Sequence, residues 1–301
     1  MLTAKMMSYM LIYGFKTIIL RRKIPVIASV ILTDLCNLHC KHCSVNNIER
    51  RIYSYDSVIS DIKTMYDKGA RILMLYGGET MLWHDGDKTV SDIIRAARRM
   101  GYFNCNIVTN GTISLDVPEA DTILVSLDGG REKHDLIRGR TYDTILKNIR
   151  SCNTKNICLY MDINKLNKDD IFKVGNLAYH EKNIKAVSFN FHTPYPDTKG
   201  LALTKKEKYE CCKKIERMMA VGIPVFNLKS TFPYMINNSF PRPTYQCEVI
   251  QEGKTWVCGR CIDIKGMCDN CGFMFVCEYS LAFSGNIRVL LDMMFTYIKY
   301  I

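Results

Sequence analysis

No stretch of this 301-residue chain is both long enough and apolar enough to cross a bilayer. The nearest candidate, residues 6–15, is an uncharged apolar run that Lys16 interrupts. It has the look of a short export signal, but no small-residue cleavage site follows before Arg21-Arg22-Lys23, so a cytoplasmic protein is expected. A low-complexity linker is also missing, so any boundary between parts has to be read from changes in composition. Nucleic-acid signatures are absent too. There is no RNA-binding motif and no zinc-finger spacing of the helix-inserting kind. The net charge of +11 is spread along the chain, so nucleic acid is not expected as a partner. An anionic membrane surface or an acidic peptide remains compatible with that charge. Charged residues, at 24%, sit near the globular norm and exclude bulk disorder.

What is present in excess is cysteine, with fourteen residues. A chain this long, 48% hydrophobic, buries a core without covalent staples, so a disulfide framework is not needed. The cysteines also cluster: three lie between residues 36 and 43, and six between 247 and 277. Clusters of this kind in a reduced compartment point to metal ligands. The other five, Cys105, Cys152, Cys158, Cys211 and Cys212, fall within apolar strand or helix patterns and read as small buried hydrophobes.

Between the clusters, short apolar runs alternate with amphipathic stretches. Residues 25–33, 71–76, 103–109, 122–127, 156–162 and 184–191 read as strands covered on both faces. Residues 55–68, 90–100, 141–151, 168–181 and 204–221 read as helices, three of them stopping at Gly69, Gly101 and Gly222. Six strand–helix units imply a parallel α/β sheet, either open and doubly wound or a partial barrel. In both, ligands bind at the carboxyl ends of the strands.

The unusual residues fall at those ends. Directly after the first strand stand Cys36, Cys40 and Cys43, spaced three residues and then two. Three thiolates on one loop can hold an iron–sulfur cluster while leaving one iron open to a ligand. The competing reading is a zinc site completed by His39 or His42. After the second strand comes Gly77-Gly78-Glu79-Thr80, where glycine lets backbone approach a ligand closely. Thr109-Asn110-Gly111, Ser126 with Asp128, Asn164 and His192 follow the third to sixth strands. Taken singly these are ordinary turn and strand-end residues.

Together, the C-x3-C-x2-C loop and the glycine pair resemble the radical S-adenosylmethionine (SAM) superfamily over roughly residues 25–225. The resemblance implies a partial (β/α)6 barrel. It implies a [4Fe-4S] cluster on Cys36, Cys40 and Cys43, reductive cleavage of SAM to a 5′-deoxyadenosyl radical, and hydrogen abstraction from a substrate. It further implies that His42 lies near adenine and that Gly77, Gly78, Glu79 and Thr80 bind the methionine amino group. Thr80 stands where the family usually has proline. Ser126, Asp128 and Asn164 match SAM-contacting positions more weakly, and no catalytic residue is assigned. A side chain at Gly78 is expected to block SAM while sparing the cysteines. An electron carrier such as ferredoxin or flavodoxin would supply the reductant.

The tail carries Cys247, Cys258, Cys261, Cys268, Cys271 and Cys277. Its two C-x2-C pairs, six residues apart, signal a metal without specifying iron. The tail loosely resembles the SPASM and twitch extensions of the superfamily, which carry auxiliary [4Fe-4S] clusters. One such cluster is expected here, with structural zinc as the alternative. The expected division is residues 1–24 as an apolar and basic helix, 25–236 as the core domain, and 237–301 as the cysteine-rich extension with a last helix. Superfamily members with such tails act on ribosomal peptides or on lipids, so the substrate is left as peptide or lipid-like. Both terminal segments, 6–20 and 287–301, are too apolar for solvated helices. Either they pack on the barrel or they dock on a membrane surface.

Overall fold

The computed structural model describes residues 4–44 and 47–300. Six strands appear where the apolar runs predict them: β1 (Ile27–Thr33), β2 (Ile72–Gly77), β3 (Asn104–Thr109), β4 (Thr122–Ser126), β5 (Ile157–Ile163) and β6 (Ile184–Phe191). They pair in sequential order and all in parallel. Every residue of β1 is buried, as expected of a strand covered on both faces. A helix α1 (Ala4–Gly14) and a π-helical turn over Phe15–Ile19 precede this array.

The predicted crossover helices are α2 (Tyr55–Lys68), α3 (Val90–Met100), α5 (Tyr142–Ser151), α6 (Ile171–His180) and α7 (Lys205–Ala220). Their ends follow local chemistry. Ser54 Oγ accepts from Ser57 N to start α2, and Thr89/Asp92 and Thr204/Glu207 form capping boxes at α3 and α7. Gly69 and Gly101 end α2 and α3 in the left-handed region, at φ +118° and +109°. A further helix, α4 (Arg131–Arg138), is too short to register as a period in the sequence.

The cysteine-rich extension is built into the sheet. After α8 (Phe232–Asn237), strand β7 (Cys247–Gln251) joins the main sheet parallel to β1, with Ile27 opposite Cys247. Strand β8 (Lys254–Val257) pairs antiparallel to β7, so the sheet runs β6-β5-β4-β3-β2-β1-β7-β8. From β8 the chain crosses to the opposite edge. There Phe191 N donates to Gly272 O and Met274 N to Asn190 Oδ1. Gly272 lies so close to β6 that a Cβ would sit 2.0 Å from the Phe191 carbonyl oxygen. Helices α9 (Met274–Phe283) and α10 (Ile287–Tyr300) complete the chain. Among the described residues no helix is long and apolar enough to cross a membrane.

Candidate active site

The carboxyl ends of β1 to β6 open on a cavity of about 500 Å³. The loop after β1 enters it carrying Cys36, Cys40 and Cys43, all on the cavity wall. Long-range hydrogen bonds fix this loop. Asp34 accepts from Glu49 N, Arg50 N (3.0 Å) and Arg51 N (2.6 Å), Asn47 Oδ1 accepts from Cys36 N (3.0 Å), and Lys41 N donates to Ile137 O (2.9 Å). The sulfurs sit among donors: Leu38 N at 3.4 Å and Asn110 Nδ2 at 3.9 Å from Cys36, and Arg138 Nη1 at 3.8 Å from Cys40. Burial pushes the Cys40 thiol up to about 11, against the pull of the Arg138 guanidinium.

The glycine pair meets this loop directly. Gly78 N donates to Thr33 O (2.7 Å) and Glu79 N to Leu35 O (2.8 Å). A Cβ on Gly77 would lie 2.1 Å from Thr33 O, and one on Gly78 would lie 2.2 Å from Leu35 O. The glycines are therefore required by the cysteine loop as well as by the cavity they line. This corrects the expectation that a side chain at Gly78 would spare the cysteines, because it would displace their backbone.

Of the other expected contact residues, His42 and Ser126 line the cavity, while Glu79, Thr80, Asp128 and Asn164 stand behind its wall. Glu79 is buried and accepts from Thr109 Oγ1 (2.5 Å), Asn110 N (2.7 Å) and Met81 N (2.9 Å). It thereby fixes the β3 loop to the β2 loop, and its pKa rises because burial outweighs those donors. Thr80 Oγ1 donates to Val108 O (2.7 Å). Asn164 shapes its own turn, accepting from Leu166 N and donating to Asp162 O. His192 lines the cavity between Asp162 Oδ2 (3.1 Å) and Thr198 Oγ1 (3.0 Å).

Asp128 anchors a buried network. Its carboxylate accepts from Arg138 Nε and Asp162 N (2.9 Å), and its own N–H donates to His134 Nδ1 (3.2 Å). Burial would raise the Asp128 pKa, but the Arg138 guanidinium and the Asp162 N–H hold it below the usual carboxylate range. Burial and the nearby Arg138 keep His42 neutral, against the pull of Asp128. Its Nε2 accepts from Arg138 Nη2 (3.3 Å), which leaves the proton on Nδ1. That Nδ1 is buried and has no hydrogen-bond partner among the described residues. A buried unmatched donor is costly, and a bound ligand with an acceptor atom would satisfy it.

The tail cysteines separate into two groups. Cys258, Cys261, Cys268 and Cys271 line the same cavity as the loop cysteines, while Cys247 and Cys277 do not. Cys247 lies 3.4 Å from Ser29 Oγ, on the face of β7 that also carries the cavity-lining Val249, and the Cys277 thiol faces Thr231 O from α9. All fourteen cysteines are described, and all are free thiols. Among the described residues no three His, Cys, Asp or Glu side chains converge on a single-ion site.

Two parts of this wall escape the sequence reading. Arg138 is one, hidden at the end of the short α4. The other is the segment after β6, where Ser44 Oγ donates to Asp197 Oδ1 (2.6 Å), Thr193 Oγ1 accepts from Gly272 N (3.0 Å) and Tyr195 lines the cavity with Cys261. Pro194 and Pro196 directly after a strand were the available signal of a fixed loop.

Residues 30–178 match the Radical SAM superfamily. A probable GTP 3′,8-cyclase of Saccharolobus islandicus is 27% identical over 162 residues, 50% of this chain and 51% of that protein. The GTP 3′,8-cyclase of Clostridium perfringens is 27% identical over 210 residues, 64% of this chain and 63% of its own. The match thus spans about half to two-thirds of these curated relatives. Among solved structures, Streptococcus suis SuiB bound to S-adenosylmethionine superposes with a TM-score of 0.65 at 12% identity, covering 94% of this chain and 72% of SuiB. The six-stranded parallel array, the cysteine loop and the glycine pair lie within or beside the matched span, and the chain belongs to the radical SAM superfamily.

Proposed function

We propose that Cys36, Cys40 and Cys43 hold a [4Fe-4S] cluster, and that SAM binds beside it against Gly77, Gly78 and His42. The observation that carries this reading is the shared wall. Three thiols of one loop and the glycine pair line one cavity, and the two loops are joined by Gly78 N donating to Thr33 O and Glu79 N to Leu35 O. The donor set fits, since three soft thiolates on one loop bind a cluster and leave a ligand position open. When bound, the group supplies one electron for reductive cleavage of SAM, giving a 5′-deoxyadenosyl radical able to abstract hydrogen. The residues of this chain do the rest. Arg138 and Asn110 place donors near the sulfurs, and the unpartnered His42 N–H offers a contact to SAM. Glu79 and Asp128 act from behind the wall as positioning residues, and Ser126 lines the cavity where β4 ends.

Cys258, Cys261, Cys268 and Cys271 are proposed to hold a second [4Fe-4S] cluster on the same wall, with zinc as the competing occupant. Cys247, on the cavity side of β7 beside Ser29, and Cys277 remain competing ligands in this reading. The electron donor is proposed as a small acidic carrier of the ferredoxin or flavodoxin type, which the net charge of +11 would attract.

The substrate is proposed to be amphipathic, peptide or lipid-like. Met74, Leu124, Phe226 and Phe275 make part of the cavity wall apolar. Lys185, Arg242 and Arg260 also line it, and none pairs with a carboxylate among the described residues. A substrate with an apolar body and an anionic group matches that wall. SuiB has been solved with its precursor peptide SuiA, which keeps a peptide in view. The working location is proposed as the cytoplasm, at its membrane boundary.

The test is anaerobic reconstitution with iron and sulfide, followed by dithionite and SAM. Formation of 5′-deoxyadenosine with methionine is expected. A protein that takes up zinc but no iron, or that binds iron and leaves SAM intact, would overturn the reading.

A further inference from the structure

Helix α1 with its π turn, and helix α10, each bury one side and expose the other. Tyr9 and Tyr13 anchor α1 through their hydroxyls to Gly69 O and Ile24 O, and the Tyr13 ring packs edge-on against Phe283. Val289 and Met293 bury the inner side of α10, and Tyr297 reaches the cavity wall. The outer sides are apolar at helical spacing. Leu11 is 75% exposed and Ile19 64%, with Phe15 between them. On α10, Ile287 is 71% exposed and Phe295 70%. The π turn reaches the link that leads into α10, where Ile18 lies beside Gly285 and Arg21 donates to Ser284 O (3.2 Å). Rows of exposed apolar side chains on two helices tied to neighbouring parts of the chain mark an interaction site.

Its charge selects the partner. Residues 4–23 contain no acid, while Lys16, Arg21, Arg22 and Lys23 are all exposed. The single acid of α10, Asp292, is turned inward, accepting from Ser230 N (2.9 Å) and Ser230 Oγ (2.7 Å). Arg288 and Lys299 remain outside. The face thus combines apolar side chains with cations, and among the described residues of the two helices no carboxylate side chain is left free. A second copy of the chain would set these cations against each other. An anionic lipid surface neutralises them and takes up the apolar side chains together.

We propose that α1 and α10 form one docking face that lies on an anionic membrane surface. The helices lie in the interface and do not cross it, in keeping with their length and their buried inner sides. Docking of this kind does not depend on the cluster or on SAM, so it stands or falls apart from the enzymatic reading.

The test uses the full-length chain in flotation with phosphatidylglycerol–phosphatidylcholine vesicles and with pure phosphatidylcholine vesicles. Flotation with the mixed vesicles, weakened by salt and weak on the neutral ones, is expected. The pair Leu11→Gln and Phe295→Gln, both at exposed positions, should lower binding about tenfold with unchanged circular dichroism. Arg21→Glu with Arg22→Glu should remove the preference for the anionic lipid. A wild type that ignores both vesicles at low salt overturns the proposal. So does equal binding to neutral vesicles, or a dimer that the Leu11/Phe295 pair dissolves without any vesicle binding.

Discussion

Cys36, Cys40 and Cys43 ride on a loop tied to distant parts of the chain, to Arg51, Asn47, Ile137 and Asn110. Cys258, Cys261, Cys268 and Cys271 ride on a strap held mostly by its own short turns, such as Ile262 N to Gly259 O, Ile264 N to Cys261 O and Asn270 N to Met267 O. Both groups line one cavity. The first is positioned by the fold, whereas the second, assembled from local turns, would gain rigidity from a metal held on its thiols. A fold-positioned trio with an open ligand place suits chemistry, and a self-contained quartet suits a closed structural or electron-transfer site.

The sharpest way to break this comparison is to remove the trio. Alanine at Cys36, Cys40 and Cys43 is expected to drop 5′-deoxyadenosine formation to background while the strap still holds iron. An iron-free variant, reconstituted as the wild type is, would show that the strap has no site of its own. Next in size is Arg138→Met, which leaves Asp128 buried and unpaired. It should cost about 3–5 kcal/mol in urea unfolding, and Asp128→Asn in the same chain should recover much of that. Equal stability of wild type and Arg138→Met would show that the trio's support lies elsewhere.

The third effect is acid sensitivity on the trio's side. Burial and the nearby Arg138 push His134 down to about 4, with Nδ1 accepting from Asp128 N and Nε2 facing Thr141 Oγ1. Above the ordinary histidine value of 6.5 both folded and unfolded forms are neutral, so nothing changes. As pH falls from there towards 4, the unfolded chain takes up the proton first, and stability of about 3 kcal/mol is lost. His134→Gln should flatten that part of the pH–stability curve, and an unchanged slope would refute the assignment. Chelation should act on the other side. Removing bound metal is expected to open residues 258–271 to proteolysis before residues 34–44, and the reverse order would invert the comparison. The smallest effect is expected from Tyr195→Phe, which removes a hydroxyl beside the Cys261 thiol and should cost about 1 kcal/mol or less. Its informative readout is the spectrum of the strap's metal, which should shift while that of the trio does not.

The barrel strands and the trio were legible because both are local signals. A continuous apolar run of five to eight residues can be read without knowing its neighbours, and three cysteines on one loop announce themselves by spacing. The roles of Glu79, Asp128 and Asn164 were not legible. Each falls at the expected strand end, yet its polar atoms are taken up by the loops beside it, which depends on partners thirty or more residues away for Glu79 and Asp128. Strand β7 was hidden for a related reason. Five residues that include Cys247, Glu248 and Gln251 have no clean alternation, and only pairing with β1 makes them a strand. Arg138 lies in a helix of eight residues, below the length at which periodicity speaks.

Gly272 closes a circuit. The tail pairs with β1 through β7 at one margin of the sheet and is fastened to Phe191 and Asn190 of β6 at the other. The strap is therefore a belt buckled across an open half-barrel, running from Val257 at the end of β8 to Gly272 against β6. Because Gly272 seats against the Phe191 carbonyl with no room for a Cβ, the buckle cannot slip by a residue without a clash. A side chain at position 272 is therefore expected to unfasten the belt from β6 while β7 stays paired with β1.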